Sequence, residues 1–178
     1  KNSAYNNRGN AGKVERKNFD PSGKLIDTQV VDNTGFDKRG NVLTQTTRTF
    51  DDKGVLIDRV ELENKSVNAR GNAGQTIRKT FDGKTGKLID TVQTDNLKFD
   101  SRGNILSQVV KTLDDKGVLL STAEVENSAF DSRGNAGKTV RKNFDEAGAL
   151  IDQQEILNTA FDSRGNVLSQ TVRTLDDK

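Results

Sequence analysis

Apolar residues in this chain fall in short runs of Val, Ile, Leu and Phe, and a polar stretch carrying a glycine interrupts them every 14 to 17 residues. The intervening segments, such as Asn41 to Phe50 and Val55 to Val67, are rich in Thr, Val, Ile and Gln. Those side chains suit a pleated, half-buried surface, so each run predicts a strand. None shows an apolar period near 3.6, which argues against helix.

The interruptions predict hairpin turns. Twice in each copy an apolar residue precedes Asp or Asn, with Gly three or four residues further on, as in Phe36-Asp37-Lys38-Arg39-Gly40 and Phe50-Asp51-Asp52-Lys53-Gly54. The first Asp can bond its own backbone and the Gly can take a left-handed conformation, which is the chemistry of a type I turn closed by a glycine bulge.

The turns are periodic. Arg-Gly-Asn begins at Arg8, Arg39, Arg70, Arg102, Arg133 and Arg164, so the spacings by subtraction are 31, 31, 32, 31 and 31. This is a tandem array. The extra residue falls in Asp82-Gly83-Lys84-Thr85-Gly86, at a turn tip, where insertion is tolerated. Asn2-Ser3-Ala4-Tyr5 aligns with Asn127-Ser128-Ala129-Phe130, and Asp176-Asp177-Lys178 reads as a turn, so residues 1–178 are expected to be one repeat array within a longer one.

Setting the register from the glycine bulge places Phe19 opposite Leu25, Phe50 opposite Leu56, Phe81 opposite Leu88 and Phe144 opposite Leu150. It also pairs Lys17 with Asp27, Arg48 with Asp58, Lys79 with Asp90 and Lys142 with Asp152, and it leaves Lys111 facing Ser121. At the other turn the expected pairs are Phe36 with Val42, Val67 with Ala73, Phe99 with Ile105, Phe130 with Ala136 and Phe161 with Val167. Counting along Leu56 to Val67 then puts Val67 on the face opposite Phe50, so successive copies present their apolar sets to alternate faces unless a bulge intervenes. A two-copy period is visible: Asn10-Ala11-Gly12, Asn72-Ala73-Gly74 and Asn135-Ala136-Gly137 alternate with Asn41-Val42-Leu43, Asn104-Ile105-Leu106 and Asn166-Val167-Leu168.

The fold expected is therefore all-β, an antiparallel hairpin meander. A column of Asn33, Asn64, Asn96, Asn127 and Asn158 admits an alternative, a parallel β-solenoid with stacked amides.

Composition narrows the function classes. Only 31% of residues are apolar and 30% are charged, which is lean for a compact core. The net charge of +2 is spread along the chain and builds no field to gather nucleic acid or an anionic membrane. His, Cys, Met and Trp are absent, which removes disulfides, the near-neutral proton shuttle and the commonest zinc ligands. No apolar run approaches the roughly 20 residues a membrane helix needs.

The turns Phe19-Asp20 to Gly23, Phe50-Asp51 to Gly54 and Phe161-Asp162 to Gly165-Asn166 resemble the Tyr-Asp-x-x-Gly signature of RHS or YD repeats. The resemblance implies a large bacterial surface or toxin-associated protein whose repeats wind a strand-rich shell around a cargo, so that this segment is a passive wall. Phe or Leu stands here where that family has Tyr.

No residue emerges as catalytic, cofactor-binding or metal-binding. Asp51-Asp52-Lys53-Gly54 has too few acids, and a lysine among them, for calcium. Gly83-Lys84-Thr85 mimics the end of a phosphate loop, but Arg78 stands where its first glycine belongs. Ser107 and Ser169 have no histidine to activate them. Asn64-Lys65-Ser66 is a lone glycosylation sequon. The expectation is a non-enzymatic stalk, wall or fibre of a secreted or surface-displayed bacterial protein, without cofactor. Its partners would be its own neighbouring repeats, with self-association through open strand edges. A self-assembling filament and a glycan-binding repeat surface are the alternatives.

Overall fold

A computed structural model describes residues 1–176. The fold is all-β: twelve strands succeed one another in sequence order as an open antiparallel meander, with no helix among the described residues. The strands are β1 (Asn2–Tyr5), β2 (Ala11–Phe19), β3 (Leu25–Phe36), β4 (Val42–Asp51), β5 (Leu56–Lys65), β6 (Gln75–Asp82), β7 (Leu88–Phe99), β8 (Ile105–Leu113), β9 (Leu119–Phe130), β10 (Ala136–Phe144), β11 (Leu150–Phe161) and β12 (Val167–Asp176). Antiparallel pairing excludes the solenoid, in which like segments would stack in parallel. The turn expected at Asp176-Asp177-Lys178 lies, for Asp177 and Lys178, outside the described residues. Among the described residues no helix is long and apolar enough to cross a membrane.

The chain divides into two compact units, Lys1–Val92 with Asp114–Gly117, and Gln93–Leu113 with Val118–Lys178. Neither has a conventional core. Ala123 and Val125, both on β9, are the only buried hydrophobic residues among those described. Ladder hydrogen bonds and cross-strand pairs therefore carry a larger share of the stability than burial does.

The turn-proximal apolar pairs form as the glycine spacing predicts: Phe19 faces Leu25, Phe50 faces Leu56 and Phe144 faces Leu150. The charged pairs do not. One residue past the apolar pair the outgoing strand carries an extra residue, Ile26, Ile57 or Ile151, and everything beyond shifts by one. Asp27 thus meets Asn18 rather than Lys17, Asp58 meets Thr49 rather than Arg48, and Asp152 meets Asn143 rather than Lys142. Lys111 faces Thr122, and Ser121 takes Thr112. The Asn18 and Asn143 amides each donate to the opposing carboxylate, at 2.7 Å for Asn18. Two of these cations pair with other acids, Arg48 with Asp32 at 2.7 Å and Lys17 with Glu15 at 3.7 Å; Arg59 donates to Glu61 at 2.5 Å with its guanidinium carbon 4.0 Å from the Phe81 ring centre.

The same bulge overturns the expected alternation of faces. Lys17 stands opposite Thr28 and Thr28 opposite Phe50, and Phe19 lies two residues from Lys17, so Phe19 and Phe50 share a face. Phe81 joins them through Arg59 and Arg48. In the second unit the same steps put Leu113, Phe144 and Leu175 on one face. The odd repeat length alone would flip each copy, and one bulged residue per copy restores the phase. The bulge residues Ile26, Ile57, Leu120 and Ile151 stay about half exposed.

The two-copy period has another origin. Ala4, Ser66 and Ala129 adopt a left-handed backbone, each with φ of 53°, near the end of every second long strand. A Cβ on Gly12 would lie 2.5 Å from the Ala4 carbonyl oxygen, and one on Gly137 would lie 2.7 Å from that of Ala129. Glycine is thus required at Gly12 and Gly137, across from the left-handed residue. In the alternate copies a double irregularity takes its place, with Gly35 opposite Thr44 and Ala160 opposite Ser169. The β5–β6 ladder ends at Lys65 and Gln75, so the expected Val67–Ala73 pair lies beyond it, whereas Phe36–Val42, Phe130–Ala136 and Phe161–Val167 form.

Candidate functional site

The two rims of the sheet, both made of glycine-closed turns, differ in what surrounds the glycine. On the Asp-turn rim, Gly23, Gly54, Gly86, Gly117 and Gly148 all have positive φ, and a Cβ on any of them would meet nothing within 4 Å. On the Arg-Gly-Asn rim the space is taken. A Cβ on Gly40 would lie 2.4 Å from the side chain of Asn10, one on Gly71 2.7 Å from Asn41, and one on Gly134 2.6 Å from Asn104. Each asparagine belongs to the preceding Arg-Gly-Asn turn, so successive turns nest against one another.

Arginine ties the same turns together. The Arg39 guanidinium donates to the Asn68 carbonyl at 3.4 Å, and Arg102 donates to that of Asp131 at 3.2 Å. Arg8 reaches the Lys38 carbonyl, and Arg133 reaches those of Asp162, at 3.3 Å, and Ser163. In each case the acceptor lies in the next turn, 29 or 30 residues on. A rigid multi-donor guanidinium suits this reach to a carbonyl better than a lysine would.

Each turn is also closed internally. Asp37 Oδ1 accepts the amides of Arg39 and Asn41, and its Oδ2 accepts the Asn41 side-chain amide at 2.8 Å. The Asn41 side-chain bond, aided by those backbone amides, holds the Asp37 carboxyl below its ordinary pKa. The corresponding amides of Asn135 and Asn166 do the same for Asp131 and Asp162.

The asparagine column, which the solenoid alternative would stack amide on amide, instead bridges three strands. Asn64 donates to the Val42 carbonyl at 3.0 Å and accepts the Thr76 hydroxyl at 2.9 Å; Asn127 does the same with Ile105 and Thr139. Asn33 donates to Ala11 and accepts from Gln45. Each amide satisfies a carbonyl where the ladder becomes irregular. The sequon asparagine Asn64 thus has its side-chain amide engaged between strands.

The other residues singled out from the sequence take structural places. Asp51 Oδ1 accepts the amides of Lys53 and Val55. Thr85 gives both its amide and its hydroxyl to Asp82, and the Gly83 amide bonds the carbonyl of the bulged Ile57. Ser107 faces Glu126 and Ser169 faces Ala160. Among the described residues no three acids converge to hold a metal ion. The turn ladder was missed because both turn types share their Asp and Gly chemistry. Its signal was the recurrence of Arg and Asn at one turn only. Comparison with protein-family models and with curated proteins gave no match.

Proposed function

We propose that this chain is a non-catalytic structural repeat segment, a stalk, wall or fibre element of a large secreted or surface-displayed bacterial protein. The observation that carries the reading is the turn ladder, in which Arg and Asn of one Arg-Gly-Asn turn engage the backbone and glycine of the next. Side chains spent on linking copies serve continuity of the array, and in linear repeats stability is the sum of such neighbour links. The resemblance to RHS repeats favours a wall around a cargo. Neighbouring repeats are then the principal partners, and neither cofactor nor nucleic acid enters the reading.

Pulling the chain by its ends tests it. A ladder of linked copies gives way in regular steps, each releasing one copy, about 105 Å of extended chain at roughly 3.4 Å per residue. Extension without such steps, or a reaction catalysed by the chain and lost on one substitution, would refute the reading.

A further inference from the structure

Two rows of side chains on one face of the first unit line a shallow cleft. Thr44 faces Glu63, which faces Ile77; in the next row on the same face Thr46 faces Glu61, which faces Lys79. Together they border a space of about 220 Å³. The second unit repeats the arrangement, 63 residues on by subtraction. There Ser107, Glu126 and Val140 form one row and Val109, Glu124 and Lys142 the next. A cleft of about 440 Å³ takes in Ser107, Glu126 and Val140, and a smaller one shares Glu126 and Val140 and adds Glu124 and Lys142. The glutamate pair marks β5 and β9 alone: the same positions hold Val30 and Asp32, Gln93 and Asp95, and Glu155 and Leu157 in the other long strands. Both strands are interior ones, β5 paired by β4 and β6 and β9 by β8 and β10, so the clefts owe nothing to an open edge.

The charges of the lining select among ligands. Glu61 accepts Arg59 at 2.5 Å and lies opposite Lys79, and the Lys65 ammonium is 3.3 Å from Glu63. A cationic ligand would have to displace these partners, and an anionic one would meet two carboxylates. An uncharged polyhydroxyl ring meets neither obstacle. Its hydroxyls can donate to the glutamates and accept from the Lys79 ammonium and the threonine hydroxyls, while its C–H face lies on Ile77. The first cleft is smaller than the roughly 300 Å³ at which sites for drug-sized ligands begin, which suits a single sugar ring. We propose that each cleft is a subsite for one hexopyranose unit of a neutral glycan, held by Glu63 and Lys79 in the first unit and by Glu126 and Lys142 in the second. The inference goes beyond the structural role and stands whether the segment is stalk, wall or fibre.

The test is titration of the isotopically labelled full chain with maltohexaose, cellohexaose and mannohexaose, followed by amide and methyl NMR shifts. The expected result is saturable binding of at least one, with shifts gathered on Glu63, Ile77 and Lys79 and on Glu126, Val140 and Lys142. Glu63 and Glu126 are exposed, so the paired change Glu63→Gln, Glu126→Gln leaves the fold intact. It should weaken binding about tenfold, because a charge-assisted acceptor is lost from each cleft. Glu146→Gln, on an Asp turn away from both clefts, should leave binding unchanged. No saturation by any of the three sugars up to about 10 mM, shifts confined to other strands, or equal binding by the paired variant would overturn the proposal. A hexalysine peptide binding the same residues more tightly than every sugar would also overturn it, in favour of a cationic partner.

Discussion

Asn41 occupies the space a side chain on Gly71 would need: a Cβ there would lie 2.7 Å from Asn41 Oδ1. Gly71 also has a φ of 88°, so two independent demands fall on one residue. Gly54 has a φ of 81° with open space around it and meets only the first. Replacing Gly54 by Ala is expected to cost about 1 to 2 kcal/mol from the left-handed backbone alone. Gly71→Ala should cost clearly more than this, but no more than this when added to Asn41→Ala, a chain that has already lost the Asn41 bond to Asp37. Urea unfolding of the four chains checks this; equal losses at Gly54 and Gly71 would show that the turns do not nest.

Ala129 holds a φ of 53°, which an alanine adopts at a cost. Ala129→Gly relieves that strain but adds freedom to the unfolded chain, so the net expectation is a gain of about 0.5 to 1 kcal/mol. Gly137→Ala, which drives a Cβ to 2.7 Å from the Ala129 carbonyl oxygen, should destabilise strongly. Thermal denaturation of the two variants should move in opposite directions.

Asn127 links three strands through one donated and one accepted bond, at 3.1 and 2.8 Å. Asn158 donates to Ala136 at 2.9 Å, but its Oδ1 is buried without a partner. Asn127→Ala is therefore expected to cost about 1 to 3 kcal/mol and Asn158→Ala roughly one hydrogen bond less, measured by equilibrium unfolding.

The carboxyls of Asp37, Asp131 and Asp162 are held below their ordinary pKa chiefly by the side-chain amides of Asn41, Asn135 and Asn166. A depressed folded-state pKa contributes stability that is complete above the unfolded value, about 3.9, and is lost as pH falls through the folded values. Unfolding midpoints should fall on acidification below about pH 4. The triple change Asp37→Asn, Asp131→Asn, Asp162→Asn should weaken that dependence. Asn6 and Asn68 already fill this turn position and accept the amides of Arg8 and Arg70, so the substituted turns retain their closure.

The strands, the glycine turns and the Phe–Leu pairs were legible in the sequence because Asp and Gly at fixed offsets dictate a hairpin. The charged register was not, because Ile26 and its equivalents look like ordinary strand residues and nothing in their chemistry marks them as unpaired. That single misplacement carried the expected alternation of faces with it. The Ala-Gly and Val-Leu alternation was visible, but its cause lies in Ala4, Ser66 and Ala129, whose left-handed backbone no side-chain preference announces. The linking role of Arg and Asn needed two turns some 30 residues apart to be seen together.

Shortening the array by whole two-copy periods and following urea unfolding bears most directly on the claim that links between copies, not a core, hold this chain together. The account predicts that the midpoint falls with each pair of copies removed, since each removal deletes turn-to-turn links and strand ladders alike. A midpoint unchanged by length would contradict it.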